Sequence, residues 1–144
     1  MGRASDIGLR IVLMLAGGFT VVAGLNKALG GLRTLGWQGE IPYLQVTNEH
    51  AFMVQDSHVR FLAAVYTGLG LIFLLAAADP RRFRSALGVS CALIFLGGLA
   101  RLSQGRPGVT FGPDLIGSMI AELVLMPVLW LWASRATAGP GTTP

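Results

Sequence analysis

The sequence predicts an all-α integral membrane protein, an antiparallel bundle of four helices with a long, partly ordered loop between the first and second. Of the 144 residues, 53% are hydrophobic and only 12% are charged, about half the roughly 25% usual for soluble domains. The mean hydropathy is +0.63. The chain also contains four apolar segments that approach the length needed to cross a bilayer. This composition argues against a disordered chain and against an ordinary soluble domain.

The four apolar segments define the predicted helices. They cover residues 7–25, 61–78, 87–100 and 115–132, and a spanning helix needs about 20 apolar residues. The third segment is short and reaches this length if Arg101 at its end snorkels or faces inward. With their flanks, the helices are predicted at about residues 6–29, 57–78, 80–103 and 113–134, in a single domain of residues 1–136. Residues 137–144 are small and polar, and are predicted to be a disordered tail.

Capping residues suggest where these helices begin. Asp56 or Ser57 is expected to start the second helix. Asp79 followed by Pro80 is expected to start the third helix after a very tight turn, since proline suits the first helical position. Pro127 lies inside the fourth helix and should kink it, because proline lacks the N–H that a helix requires.

The loop at residues 31–55 is too apolar to be a free connection. Loops longer than about 12–15 residues without structure are uncommon in compact domains. We expect this one to fold back over the outer mouth of the bundle or to lie in the membrane interface. Residues 43–47 are candidates for an extended stretch, and residues 49–55 for a short helix.

Basic residues predict the orientation. Residues 81–84 contain three arginines, which places this turn in the cytoplasm by the positive-inside rule. Four spans then put both termini in the cytoplasm, giving six basic residues inside and five outside. The excess of one basic residue on the cytoplasmic side is small, but the predicted outer loops also carry acidic residues. The first apolar segment is longer than the core of a signal peptide, so it is predicted to stay as a helix. The predicted location is the inner (plasma) membrane of the cell, as a multi-pass protein.

The few charged residues of the chain indicate where a functional site would lie. A helical projection places charged residues near the predicted outer ends of all four helices. Glu122 lies eight residues beyond Asp114, and is therefore about 12 Å deeper. A carboxylate at that depth should face the interior and find a partner. One interpretation is a polar pocket for a small anionic or amphipathic ligand, such as a lipid headgroup or a quinone. Its predicted lining is Lys27, Arg60, Tyr66, Arg101 and Glu122.

The alternative interpretation is a purely structural one. Asp56 with Arg60, and Arg101 with Glu122, could form ion pairs that fix the helices against one another. The sequence leaves both interpretations open. It shows no nucleophile with a neighbouring base and therefore predicts no catalytic residues. A non-enzymatic binding or accessory protein is favoured over a small membrane enzyme that uses Glu122 as acid and base, and over a purely structural subunit.

No cofactor or metal is predicted. Cys91 is the single cysteine, so no disulfide can form within the chain, and His50 and His58 belong to no tight ligand motif. The few basic residues lie between apolar blocks, which argues against a nucleic-acid partner. The expected partners are membrane lipids. Glycine-rich helix faces could also support a homo-oligomer or a larger membrane complex.

Several local sequences resemble the DUF4345 family of small bacterial four-helix membrane proteins. They are DSHVRF at residues 56–61, GLG at 68–70, FLGGLARLS at 95–103, GRP at 105–107, and EL at 122–123 with Pro127. The resemblance covers about residues 8–133. It implies the four-helix membrane fold and no activity. The architecture is more loosely similar to DoxX-like membrane proteins. That likeness would imply quinone or redox association, for which the single Cys91 provides no dithiol.

Overall fold

The computed structural model describes residues 3–33 and 46–137, and these ranges contain helices and turns without strands. The long helices are α1 (Arg3–Gly30), α2 (Glu49–Ala78) and α3 (Arg84–Leu102). A short α4 (Pro107–Thr110) precedes α5 (Ile116–Thr137), which is interrupted by a π-helical turn at Ala121–Leu125. A 3-10 turn, Gly31–Arg33, follows α1. The all-α prediction is confirmed.

The long helices are apolar enough to cross a membrane. The described residues contain four such helices, which are α1 with its 3-10 turn, α2, α3 and α5. Many of their large apolar side chains are exposed, including Leu15, Leu29 and Phe61. Contiguous apolar surface of this extent is unfavourable in water and suits lipid. The chain is therefore a multi-pass membrane protein, and the antiparallel arrangement of its helices stays a prediction.

Two compact units make up the described chain. The α1–α2 unit comprises Leu13–Leu74. The α3–α5 unit comprises the residues up to Val12 together with those from Leu75 onward. It therefore includes the first turns of α1 and the last residues of α2. The expectation of one domain stays a prediction.

In the α1–α2 unit, glycines let two helix backbones come into contact. A Cβ atom at Gly70 would lie 2.8 Å from the backbone nitrogen of Val21 and 3.0 Å from the carbonyl oxygen of Gly17. A Cβ atom at Gly24 would lie 2.9 Å from the backbone nitrogen of Thr67. Small residues at helix interfaces allow this close approach, which gains van der Waals contact where lipid supplies no hydrophobic driving force.

The α3–α5 unit places aromatic side chains against small residues. A Cβ atom at Gly88 of α3 would lie 2.7 Å from the ring of Trp130, so glycine leaves the space that the indole fills. The indole Nε1 of Trp132 donates a hydrogen bond of 3.1 Å to the hydroxyl of Ser5 in α1. Leu87 and Leu129 are both fully buried. These contacts hold the start of α1 and the two helices α3 and α5 in one unit.

The start of α2 differs from the prediction. The helix begins at Glu49, eight residues before the predicted start at residue 57. Asn48 caps it, because its side-chain oxygen accepts a hydrogen bond of 3.0 Å from the backbone N–H of Ala51. No glycine or proline interrupts residues 49–56, so the helix runs on and Asp56 lies within it. The short helix expected at 49–55 is the beginning of α2. Residues 34–45 of the predicted loop lie outside the described residues.

The starts of α3 and α5 also differ. The carboxylate of Asp79 accepts a hydrogen bond of 3.1 Å from the backbone N–H of Arg82, which holds a turn rather than the first turn of a helix. Consequently α3 begins at Arg84 and not at residue 80. A second turn, with Leu115 N–H bonded to the carbonyl of Gly112 at 3.1 Å, delays α5 from residue 113 to Ile116. Thr137, predicted to begin the tail, is the last residue of α5, and residues 138–144 lie outside the described part.

Candidate functional site

Arg101 and Glu122 form a two-point ion pair in the α3–α5 unit. The Nε of Arg101 lies 2.8 Å from one carboxylate oxygen, and its Nη2 lies 3.0 Å from the other. This fork-to-fork geometry is the strongest arrangement of the two groups and fixes the orientation of both. The side chain of Glu122 is 12% exposed and that of Arg101 is 42% exposed. The carboxylate is thus held inside the unit, while part of the guanidinium reaches its surface.

A π-helical turn carries Glu122. The backbone N–H of Met126 bonds to the carbonyl of Ala121, five residues back. Pro127 follows directly; it has no N–H to donate, and its ring crowds the carbonyl four residues earlier. A wider turn ahead of the proline accommodates this crowding. The proline itself predicted a kink at residue 127 but not the π-helical turn, a feature that recurs at functional sites in other proteins.

Gly98 brings α3 close enough for the pair to form. A Cβ atom there would lie 2.9 Å from the Cβ of Glu122 and 2.8 Å from the side chain of Leu123. Arg101 is three residues further along α3 and therefore on the same face. The neighbouring Gly97 faces open space, with nothing within 4 Å of its Cβ position. Of the two consecutive glycines, Gly98 is the one that the ion pair requires.

A second ion pair lies in the α1–α2 unit. Nε of Arg60 is 2.6 Å from the carboxylate of Asp56, whose other oxygen accepts a hydrogen bond of 2.7 Å from the backbone N–H of Leu32. Arg60 also donates to the carbonyl oxygens of Ala28 and Leu29. These two side chains therefore satisfy backbone groups left open at the end of α1. Their bonds tie the end of α1 to α2, which is a structural arrangement.

Gly31 makes this arrangement sterically feasible. Its φ of +67° is in the left-handed region, and a Cβ atom there would collide with the carboxylate of Asp56. We expect Gly31→Ala to lower the stability by more than the roughly 1–2 kcal/mol of left-handed strain, because the collision adds to it. Gly105→Ala is the matched control, since Gly105 has a φ of +66° and open space around it.

Unfolding of the purified variants by SDS, followed by circular dichroism, measures the difference. Equal losses for Gly31→Ala and Gly105→Ala would show that the contact with Asp56 contributes nothing.

The predicted pocket residues fall in different units. Lys27 lies in the last turn of α1, and Arg60 and Tyr66 lie in α2; all three belong to the α1–α2 unit. Arg101 and Glu122 belong to the α3–α5 unit. The structure therefore brings Arg101 to Glu122 and Arg60 to Asp56. A pocket shared by all five predicted residues stays a prediction.

Two clefts open on the described surface. The first, about 260 Å³, is lined in part by Asp6, Arg10, Asp79 and Arg81. The second, about 310 Å³, is shallow and is lined by His50, Met53, Val54, Ser57 and His58. The first cleft was not predicted from the sequence, although Asp6 and Arg10 are one helical turn apart. The part of the chain that the structure describes holds no cluster of three histidine, cysteine or acidic side chains suited to a metal.

Comparison with known proteins identifies the family. A family model described as a domain of unknown function (DUF4345) matches residues 8–133. No curated protein and no solved structure matches the chain. Because the family match covers most of the chain, the protein belongs to the DUF4345 family.

Proposed function

We propose that this member of the DUF4345 family is a non-enzymatic membrane protein that binds a small anionic or amphipathic ligand, of lipid or quinone type, through Arg101. One observation carries the proposal: the guanidinium is fixed by Glu122, yet 42% of the Arg101 side chain remains exposed. A donor that is already oriented loses little conformational freedom when it binds a ligand.

The remaining donors of Arg101 define the ligand chemistry. A guanidinium has five N–H groups, and the bonds to Glu122 use Nε and Nη2. Within residues 3–33 and 46–137, Nη1 has no hydrogen-bond acceptor. The Arg101–Glu122 pair is formally neutral, and what it offers a ligand is the N–H groups of Nη1. It therefore favours a ligand with an oxygen acceptor, such as a phosphate ester or a quinone carbonyl. Apolar helix surface nearby, including Leu99 and Leu102, suits the hydrocarbon part of such a ligand.

Ligand content of the purified protein tests this proposal. Wild type and Arg101→Gln are extracted from the same membranes in mild detergent, and bound lipids and quinones are measured by mass spectrometry. We expect one class of ligand to be lost from Arg101→Gln and kept in Arg135→Gln, a matched change in the last turn of α5. Arg101→Lys keeps the charge and tests whether the forked geometry is needed.

Two outcomes contradict ligand binding. If folded Arg101→Gln carries the same lipids and quinones as wild type, Arg101 does not bind them. If neither Arg101→Gln nor Arg101→Lys folds, the ion pair is structural. The second candidate function, a structural subunit of a membrane complex, would then stand. It is favoured by the Asp56–Arg60 pair, because apart from their mutual bond these side chains bond to backbone groups at the end of α1 and in the turn that follows it.

We further propose that both termini face the cytoplasm of a bacterial cell and that the protein lies in its plasma membrane. The three arginines at residues 81–84, in the turn after α2 and at the first residue of α3, support this orientation. Activity of a reporter enzyme fused after residue 144 would report the side of the membrane. A fusion that is active only outside the cytoplasm contradicts the proposal.

A further inference from the structure

The first cleft lies where three helix ends of the α3–α5 unit meet. Asp6 and Arg10 come from the start of α1, Asp79 and Arg81 from the turn after α2, and Thr137 from the end of α5. Buried Leu9 also lines the cleft. Its volume is about 260 Å³. The lining therefore combines charged groups with a buried apolar side chain.

The charged groups of this cleft do not neutralise one another. Two carboxylates and two guanidinium groups line it, but the two ion pairs found within the described residues are elsewhere. One nitrogen of Arg10 donates to the carbonyl oxygens of Ala77 (3.0 Å) and Ala78 (2.6 Å), which anchors that side chain. Asp6 and Arg81 are exposed, and within residues 5–33 and 46–137 neither side chain has a hydrogen-bond or ion-pair partner. A carboxylate and a guanidinium are thus both available to a ligand.

The position of the cleft at the ends of membrane-spanning helices is where lipid headgroups are expected. Each of the three elements that line it is the end of a helix able to span the membrane. Trp132, hydrogen-bonded to Ser5 at the start of α1, is the type of residue that marks the membrane interface. The exposed apolar side chains of Ile7 and Ile11 flank Asp6 and Arg10 along α1. A molecule in the cleft can therefore place its polar part among the charges and its hydrocarbon part against lipid-facing surface.

We propose that this cleft binds a phospholipid whose headgroup combines a phosphate with a primary ammonium, as phosphoethanolamine does. Arg81 and the anchored Arg10 would bind the phosphate, and Asp6, with Asp79, the ammonium. Equal numbers of acidic and basic groups match a zwitterion better than an anion, because an anion would leave the carboxylates opposed to its charge. A quaternary ammonium has no N–H to donate, so a choline headgroup matches the carboxylates less well. This site is at the opposite end of α3 from Arg101 and does not depend on the function proposed above.

Native mass spectrometry of the full-length protein in detergent tests this site. The probes are phosphatidylethanolamine, phosphatidylcholine and phosphatidylglycerol with identical acyl chains. We expect several-fold more phosphatidylethanolamine to be retained than either other lipid. Asp6→Asn and Arg81→Gln should each remove that preference. Arg82→Gln is the matched control, since Arg82 is adjacent to Arg81 but does not line the cleft. Circular dichroism checks that each variant folds.

Several results would overturn the assignment. Equal retention of phosphatidylglycerol would show a simple anion site, and equal retention of phosphatidylcholine would show that the ammonium is not recognised. A preference that survives both substitutions would place the lipid elsewhere. If neither Asp6→Asn nor Arg81→Gln folds, the charges of Asp6 and Arg81 stabilise the fold and do not serve a ligand. Soluble phosphoethanolamine should displace the lipid only at much higher concentration. If it binds as tightly as the lipid, the occupant is a free phosphoester and not a phospholipid.

Discussion

Gly70→Ala is expected to destabilise the protein by about 1–3 kcal/mol, the usual cost of overpacking a close contact. The added methyl group would lie 2.8 Å from the backbone nitrogen of Val21 and 3.0 Å from the carbonyl oxygen of Gly17. Backbone atoms cannot turn away as a side chain does, so α1 and α2 must separate. The steric cost exceeds the roughly 1 kcal/mol that alanine gains over glycine as a helix former.

Gly68→Ala is the matched control for this prediction. Gly68 lies on the same helix, two residues away, and nothing lies within 4 Å of its Cβ position. This variant should be neutral or more stable than wild type by up to about 1 kcal/mol. The two substitutions therefore have opposite expected signs in SDS-unfolding midpoints followed by circular dichroism. Equal shifts for both variants would refute the close contact between the two helix backbones.

Glu122→Ala is expected to cost about 2–3 kcal/mol. Breaking a buried ion pair by removing one partner typically costs 3–5 kcal/mol, because the other charge is left unpaired. The 42% exposure of the Arg101 side chain lowers that figure, since an arginine near a helix end can reach the interface. Asp114→Ala removes an exposed carboxylate just before the same helix, one with no ion-pair partner in the described part of the chain. That control should change stability by less than about 0.5 kcal/mol.

A double-mutant cycle separates the ion pair from other effects. The variants are Glu122→Ala, Arg101→Ala and their combination, compared by the same unfolding assay. Because the combination leaves no unpaired charge, it should be less destabilised than the sum of the single variants. Strict additivity would mean that the two side chains do not interact energetically. It would also remove the fixed guanidinium on which the proposed ligand binding rests.

The long apolar runs were sufficient to predict the number and order of the membrane-crossing helices. Hydrophobicity over some 20 residues is a strong signal, whereas a helix start depends on single hydrogen bonds. The start of α2 at Glu49 is set by hydrogen bonds to Asn48, which lies outside the apolar run at residues 61–78 from which this helix was predicted. Asp79 holds a turn rather than a helix start, although the same residue type can do either.

The candidate site was less predictable than the fold. A carboxylate deep in a predicted span needs a partner, and the place of Arg101 near the predicted outer end of the third helix made it the first choice, ahead of Arg60. Depth in the membrane does not give the geometry that holds Arg101 against Glu122. Residues 97 and 98 are both glycine, so the sequence does not distinguish their roles. Only the packing shows that Gly98 contacts Glu122 and that Gly97 faces open space. The five predicted pocket residues were grouped by helical projection, which gives a face and a depth but no distances between helices.

The π-helical turn has a consequence for how the fourth spanning helix should be compared with other sequences. A bond across five residues instead of four accommodates one residue more than a regular α-helix. An uninterrupted α-helix continuing from Ile116–Ile120 would place the side chains of Met126–Thr137 on a different face. The extra residue turns them by about 100° around the helix axis from those positions. In alignment terms, α5 behaves as two segments joined by a one-residue insertion, with Glu122 inside the join. A single helical wheel drawn for the whole span assigns one of its two halves to the wrong face.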